Sequence, residues 1–317
     1  MAFAHKKLRV GVIGVGYLGK EHARIYRDLP ETDLVGISDI DPSKEEKAKE
    51  LGVSFFKDFR GLIGQIEAVS IATPTSIHYE AASACLKQGV HTLIEKPITA
   101  DLKDADELIR LAQAKNLALQ VGHLERYNAG FRHIEKMVKN VRFLEIHRLS
   151  PFTPRIKDCG VVLDMMIHDL DILLQLIKST VKSIDCVGIN VLTKFEDIAN
   201  VRIRFDNGAV ADVTASRLTP EKQRKIRIFQ EDAYISLDYQ AQSAQVFRKG
   251  LMGIKKETVT LEKEESLKAE LEDFVRSILN KRALGKPDIQ ARNALALALE
   301  ITAAIKKNEN TAVTVHV

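Results

Sequence analysis

What this sequence lacks narrows its class before any motif is read. In 317 residues it has three cysteines and no tryptophan, and aromatics make up 6%. Cys85, Cys159 and Cys186 are far apart, odd in number and form no CxxC pair. That leaves no disulfide framework, and the thiols are expected to act as small hydrophobes in a reducing, cytoplasmic compartment. No apolar run approaches the ~18 residues that cross a bilayer. The opening stretch MAFAHKKLRVGVIG is basic and then apolar, like a secretory leader. Glycines interrupt it and no small-residue cleavage site follows, so no leader is expected. An excess of one charge is also missing: 47 Lys and Arg face 43 Asp and Glu, a net +4, with no basic arm. A nucleic-acid module is therefore not expected, although the slight positive bias suits an anionic small molecule. There is no internal repeat and no low-complexity tract.

Hydrophobic residues at 45% and charged residues at 28% describe a globular chain long enough for two domains. The first third alternates short apolar runs with amphipathic segments. Strands are predicted at 8–14, 34–39, 68–74, 91–97 and 117–123. Helices are predicted at 17–29, 42–52, 78–89 and 100–116. Strands and helices alternating through short connections imply a parallel sheet with crossover helices. Beyond residue 140 the pattern changes to apolar–polar alternation, as in RFLEIHRL, NVRIRF and AYISLDY, which implies a mostly antiparallel sheet. Within FDNGAV, Asn207-Gly208 marks a hairpin. Helices at 264–280 and 288–307 close the chain. The reading is an α/β dinucleotide-binding domain over 1–123 and an α+β substrate and oligomerisation domain, with a large open sheet, over 124–317.

Gly14-x-Gly16-x-x-Gly19 follows an apolar strand and opens a helix, the context a phosphate loop requires. The first glycine permits the turn, the second lets backbone approach a diphosphate, and the third lets helix and strand pack. The helix start, with Tyr17 and Leu18, offers free N–H groups to negative charge. Asp39 ends the second strand, where a carboxylate accepts hydrogen bonds from ribose hydroxyls and repels a 2′-phosphate. NAD is therefore expected rather than NADP. Thr73-Pro74 and Glu95-Lys96-Pro97 end later strands, on the side where ligands bind in open parallel sheets.

Residues 158–171, DCGVVLDMMIHDLD, set acids and an imidazole among large apolar side chains. On a helix at 100° per residue, Asp164, His168, Asp171 and Gln175 fall within about 60° of one another. So narrow a polar stripe with apolar walls implies a mostly buried helix with one line of ionisable groups facing a cavity. Three readings are open. Asp164 and His168 could begin a metal site, but a third ligand is missing and there is no HExxH. The histidine could be structural, held by an aspartate. It could also be an acid/base group, since imidazole titrates near neutrality. The residue types alone do not choose among them.

Gly14-x-Gly16-x-x-Gly19-x-x-His22-Ala23, Ala72-Thr73-Pro74 with His78, Glu95-Lys96-Pro97 and Asp164-x-x-x-His168-x-x-Asp171 occur in this order. Together they resemble the glucose–fructose oxidoreductase/inositol dehydrogenase/MocA family over nearly the whole chain. The resemblance implies a Rossmann domain that binds NAD, an open antiparallel sheet through which copies associate as dimers or tetramers, and no metal. It implies cofactor contacts from Gly14 to Gly19, Asp39, Thr73, Pro74, His78, Glu95 and Lys96. It makes Lys96, Asp164 and His168 catalytic, with Asp171 touching substrate. The sequence departs from the family pattern in having one glycine, Gly160, before Asp164, and Met166 where many members have glycine. GHLERYN, HRLSPFTPR and RIFQEDAYISLDY further resemble a subgroup that oxidises the 3-hydroxyl of UDP-N-acetylglucosamine, ahead of an aminotransferase that makes a 3-amino sugar for lipid A. A diphosphate needs cations, and Arg126, Arg148, Arg155 and Arg217 are candidates. Another sugar or polyol, a non-catalytic NAD-binding regulator and an NADPH-dependent reductase are the alternatives. Asp39 opposes the last, and the joint presence of Lys96 and His168 opposes the regulator.

Overall fold

The structure is a computed structural model that describes residues 6–153, 159–250, 253–261 and 263–309. The chain divides into two compact units. One runs to His123 and adds Glu265–Arg292; the other holds Leu124–Glu264 and continues from Asn293.

The first unit is built on six strands: β1 Leu8–Ile13, β2 Thr32–Ser38, β3 Ser54–Phe56, β4 Ala68–Ile71, β5 His91–Glu95 and β6 Leu119–Gly122. All neighbours are parallel, in the order β3-β2-β1-β4-β5-β6. The order reverses at β1/β4, the place where such sheets open a ligand crevice. Helices α1 Gly19–Asp28, α2 Glu45–Leu51, α3 Arg60–Ile63, α4 Thr75–Lys87 and α5 Leu102–Ala114 connect the strands. Covering both faces of a parallel sheet buries every side chain of its centre, and β4, AVSI, is buried at all positions. β3 and α3 were not predicted. β3 is only three residues long, yet it matters to the site because Phe56 O accepts the Asp39 N–H at 3.1 Å.

The second unit opens with a 3₁₀ turn at Leu124–Tyr127 and α6 Ala129–Glu135, whose N-cap Asn128 accepts hydrogen bonds from the Gly130 and Phe131 N–H groups. Then come β7 Val141–Leu149, a π-helical turn Val162–Met166 and α7 Ile167–Leu176. The strands β8 Val181–Ile189, β9 Ile198–Phe205, β10 Val210–Ser216, β11 Gln223–Gln230, β12 Ala233–Asp238, β13 Ser243–Gly250 and β14 Gly253–Thr260 follow. With β7 they form an eight-stranded sheet, ordered β14-β13-β12-β11-β7-β10-β9-β8. β7/β10 is parallel and the other pairs are antiparallel. The expected hairpin joins β9 to β10, with Gly208 at φ +83°, a conformation glycine adopts without strain. Burial alternates along the sheet, as in β9. Phe143, Phe229, Tyr234 and Phe247 stack across strands on the other face, at centroid spacings of 5.5, 4.8 and 5.4 Å.

The helices α8 Ser266–Leu279 and α9 Ile289–Glu309 come last. The sequence reading placed everything after residue 123 in the second domain. Instead α8 belongs to the first unit, because Leu271, Phe274, Val275 and Ile278 complete the core that holds Val10, Tyr26 and Leu29. Cys85 and Cys186 are buried, Cys159 is half-buried, and all are free thiols. No helix among the described residues is long and apolar enough to cross a membrane.

Candidate active site

The phosphate loop leaves β1 with Gly14 at φ +85°, its N–H bonded to Ser38 O at 2.7 Å. A Cβ at Gly14 would lie 2.7 Å from Ala72 O, and one at Gly19 would overlap the Gly14 carbonyl oxygen. Nothing stands within 4 Å of the corresponding point at Gly16. The loop is thus closed towards the sheet and open outward, with Gly16, Tyr17 and Leu18 exposed. At the end of β2, Asp39 Oδ2 accepts the Val15 N–H at 2.7 Å and Oδ1 accepts the Asp41 N–H at 2.9 Å. The carboxylate is half-buried and each oxygen keeps a lone pair for a ribose hydroxyl. Thr73 Oγ1 is buried without a partner among the described residues, beside the loop that Gly14 touches. An open diphosphate cradle, a fixed carboxylate and an unmet hydroxyl fit a dinucleotide.

Pro74 is exposed at the head of α4, as expected for a ligand-side residue. His78 is different: its Nδ1 lies 2.8 Å from Pro97 O and its Nε2 lies 2.9 Å from Thr73 O. It is buried and braces the ends of two strands, so it reaches a cofactor only through them. Burial pushes its imidazole below the usual value despite the two carbonyls. In the neutral form only one of the two contacts is a hydrogen bond. Glu95 was also expected to touch the cofactor, yet it is turned inward onto His22, with Nε2 to Oε1 at 3.1 Å. Lys96, the next residue, is half-buried.

In the second unit the helical wheel needs correcting. The π turn Val162–Met166, closed by the Ile167 N–H on Val162 O, precedes α7, so the angle from Asp164 to His168 is not that of a regular α-helix. Asp164 and His168 are half-buried. The rest of the stripe is engaged by other side chains. Gln175 Nε2 bonds Glu135 of α6, and Asp171 is 0% exposed, held by Arg126 through Nε at 2.6 Å and through Nη2. Asp171 thus faces Arg126, where the resemblance implied a substrate contact. Glu196 secures the start of the turn: its carbonyl accepts the Val161 N–H at 3.0 Å and its Oε1 accepts the Val162 N–H at 3.3 Å. Gly160 is required there, since a Cβ would overlap the Glu196 carboxylate.

The arginine expectations are also corrected. Arg148 is 3% exposed and clamps Asp169 at 2.7 and 2.8 Å and Glu125 at 2.9 Å. Burial pushes the Asp169 carboxyl up despite Arg148. Arg217 is buried against Asp197 Oδ1 at 2.7 Å, Thr193 Oγ1 and Cys159 O. Asp197 Oδ2 in turn accepts the N–H groups of Val191, Leu192 and Thr193. Burial opposes its charge, but those amides and Arg217 hold the carboxyl far below its usual range. Arg148 and Arg217 are committed to carboxylates because a buried guanidinium needs a counter-charge, and half-buried Arg126 is paired with Asp171. Arg155 lies outside the described residues. Arg224, on β11 opposite Arg148, is half-buried, and its Nη1 stands 3.5 Å from a Glu125 oxygen already held by Arg148.

Sequence reasoning missed Asp169, Glu125, Glu196 and Asp197. An acid one residue off the stripe, as Asp169 is, was the available signal. Its partner, 21 positions earlier, had none. Among the described residues no group of three His, Cys, Asp or Glu is placed to hold a metal ion.

Residues 8–123 match the family described as "Oxidoreductase family, NAD-binding Rossmann fold", and residues 140–236 match the GFO/IDH/MocA C-terminal domain. The UDP-N-acetylglucosamine 3-dehydrogenase of Acidithiobacillus ferrooxidans is 37% identical over 307 residues, 94% of this chain and 97% of that one. A solved structure of that name from the same organism matches with a TM-score of 0.90 at 37% identity, covering 95% of this chain and 99% of the other. The myo-inositol 2-dehydrogenase of Thermotoga maritima is 30% identical over 230 residues, 66% of this chain and 69% of that one. A levoglucosan dehydrogenase solved with NADH and levoglucosan shares the fold at 20% identity, with a TM-score of 0.86 over 95% of this chain and 98% of that one.

Proposed function

The chain belongs to the GFO/IDH/MocA family of NAD-dependent oxidoreductases, sugar dehydrogenases acting on CH–OH groups, and from that premise we propose that it oxidises the 3-hydroxyl of UDP-N-acetylglucosamine. The observation that carries this reading is 37% identity, sustained over 94% of the chain, to a relative of that name. The open phosphate loop and Asp39 hold NAD, which when bound accepts the hydride. His168 takes the hydroxyl proton, and Asp164 orients the imidazole and favours its charged form afterwards. Lys96 orients the hydroxyl and stabilises the developing oxyanion. Arg224, the least engaged guanidinium beside Arg148, replaces Arg148 as the candidate for the diphosphate. The ketone formed suits an aminotransferase as the next enzyme. The aromatic ladder on the eight-stranded sheet supports association of copies through that face.

The test is NADH formation at 340 nm with UDP-N-acetylglucosamine, other UDP-sugars, free sugars and inositols, each with an aminotransferase and glutamate to trap the ketone. Turnover confined to UDP-N-acetylglucosamine is expected. Turnover with free sugars or inositols instead overturns the nucleotide-sugar assignment. NAD binding without turnover on any substrate points to a regulator.

A further inference from the structure

The first unit buries a carboxylate at the residue before Lys96, and the chemistry above gives it no task. Glu95 is 9% exposed and His22, which touches it, is 0% exposed. Three elements enclose the group. From α1, His22 Nε2 meets Glu95 Oε1 at 3.1 Å. From β6, Gly122 leaves the space: a Cβ there would stand 3.0 Å from Oε2. At the end of β5, Oε2 accepts the N–H of Lys96 itself at 3.3 Å.

His22 Nδ1 is buried with no acceptor among the described residues. The ring's Nε2 is available as a hydrogen-bond donor to Glu95. A buried carboxylate with no compensating charge costs several kcal/mol. Burial does push the Glu95 carboxyl up, but the His22 contact, the Lys96 charge and the Lys96 N–H outweigh it, leaving it below its usual value. The ionisable groups facing Glu95 are His22 from α1, His78 from α4 and Lys96, while β6 presents Gly122.

We propose that Glu95, gripped by His22, is the positioning partner of Lys96: it fixes the lysine backbone and sets a fixed negative charge that acts on its amine. This deepens the role given to Lys96 above. It also assigns His22, three residues into the helix that begins at Gly19, the task of tying the phosphate-loop helix to the strand end that carries the lysine.

The experiment needs neither substrate nor cofactor, so it is readable whatever the sugar assay returns. The full chain is treated with trace acetic anhydride at pH 8, where only free amines react. The peptide carrying Lys96 is then quantified by mass spectrometry against that carrying exposed Lys115. In Glu95→Gln the Lys96/Lys115 ratio is expected to rise about ten-fold, the effect of removing one opposite charge from the amine's surroundings. Glu95→Asp, which keeps the charge but withdraws it by one methylene, is expected to raise the ratio less and serves if the glutamine variant does not fold. An unchanged ratio in the folded variant overturns the proposal. A rise shared by all lysines reports lost packing and counts against it too. Once a substrate is found, Glu95→Gln should lower kcat and leave the NADH dissociation constant unchanged.

Discussion

In the second unit each buried arginine among the described residues closes on a carboxylate: Arg148 on Asp169 and Arg217 on Asp197. In the first unit one buried carboxylate, Glu95, has only a histidine donor and the neighbouring lysine. The ion pairs of the second unit settle their charge internally and fix side chains in place. The charge of the first acts on a half-buried neighbour, Lys96. Burial alone therefore does not separate structural from functional ionisable groups; what separates them is whether the partner is fully enclosed as well.

Substitutions can break that contrast at its strongest point. Lys96→Ala and His168→Ala, on the substrate the assay identifies, should each lower kcat by about 10²–10⁴-fold with NADH affinity retained. Wild-type turnover in either variant would remove that residue from the mechanism. Next in size is Arg148→Met, which strands Asp169 and Glu125 and should cost about 3–5 kcal/mol in urea unfolding. Arg148→Met with Asp169→Leu should recover part of that loss. If the single and double variants are equally destabilised, the pair is not the unit of charge balance described here. The smallest effect concerns Asp39→Asn, which removes the carboxylate that repels a 2′-phosphate. Fluorescence titration should show NADPH gaining on NADH by about ten-fold, the size of one partly screened charge contact. An unaltered ratio would mean that the Val15 and Asp41 amides, and not the ribose, are what Asp39 serves.

The first unit was the more legible in the sequence, because its function is written in the backbone. Glycines at 14, 16 and 19, set between a strand and a helix, announce a phosphate loop, and a fully buried strand such as β4, AVSI, appears as a short run without charge. β3 escaped because three residues carry no period. β14 escaped because an edge strand, GIKKETVT, has little apolar face to alternate. The stripe on α7 was half-legible. Asp164 and His168 stand half-exposed, but a π turn altered the angle between them, and the 3₁₀ turn carrying Arg126 closed over Asp171. Ion pairs were illegible because a residue's type states its charge and not its partner. Arginines singled out as phosphate ligands were already spoken for by acids far along the chain.

The place of α8 has a consequence for how the protein is made. The six-stranded sheet is complete in sequence at Gly122, yet the core over Val10, Tyr26 and Leu29 waits for Leu271, Phe274, Val275 and Ile278. A ribosome that has synthesised the whole nucleotide-binding sheet still has about half the chain to add before that apolar surface is covered. During that interval the nascent unit offers chaperones a sticky face, and a fragment cut at residue 123 would keep that face for good.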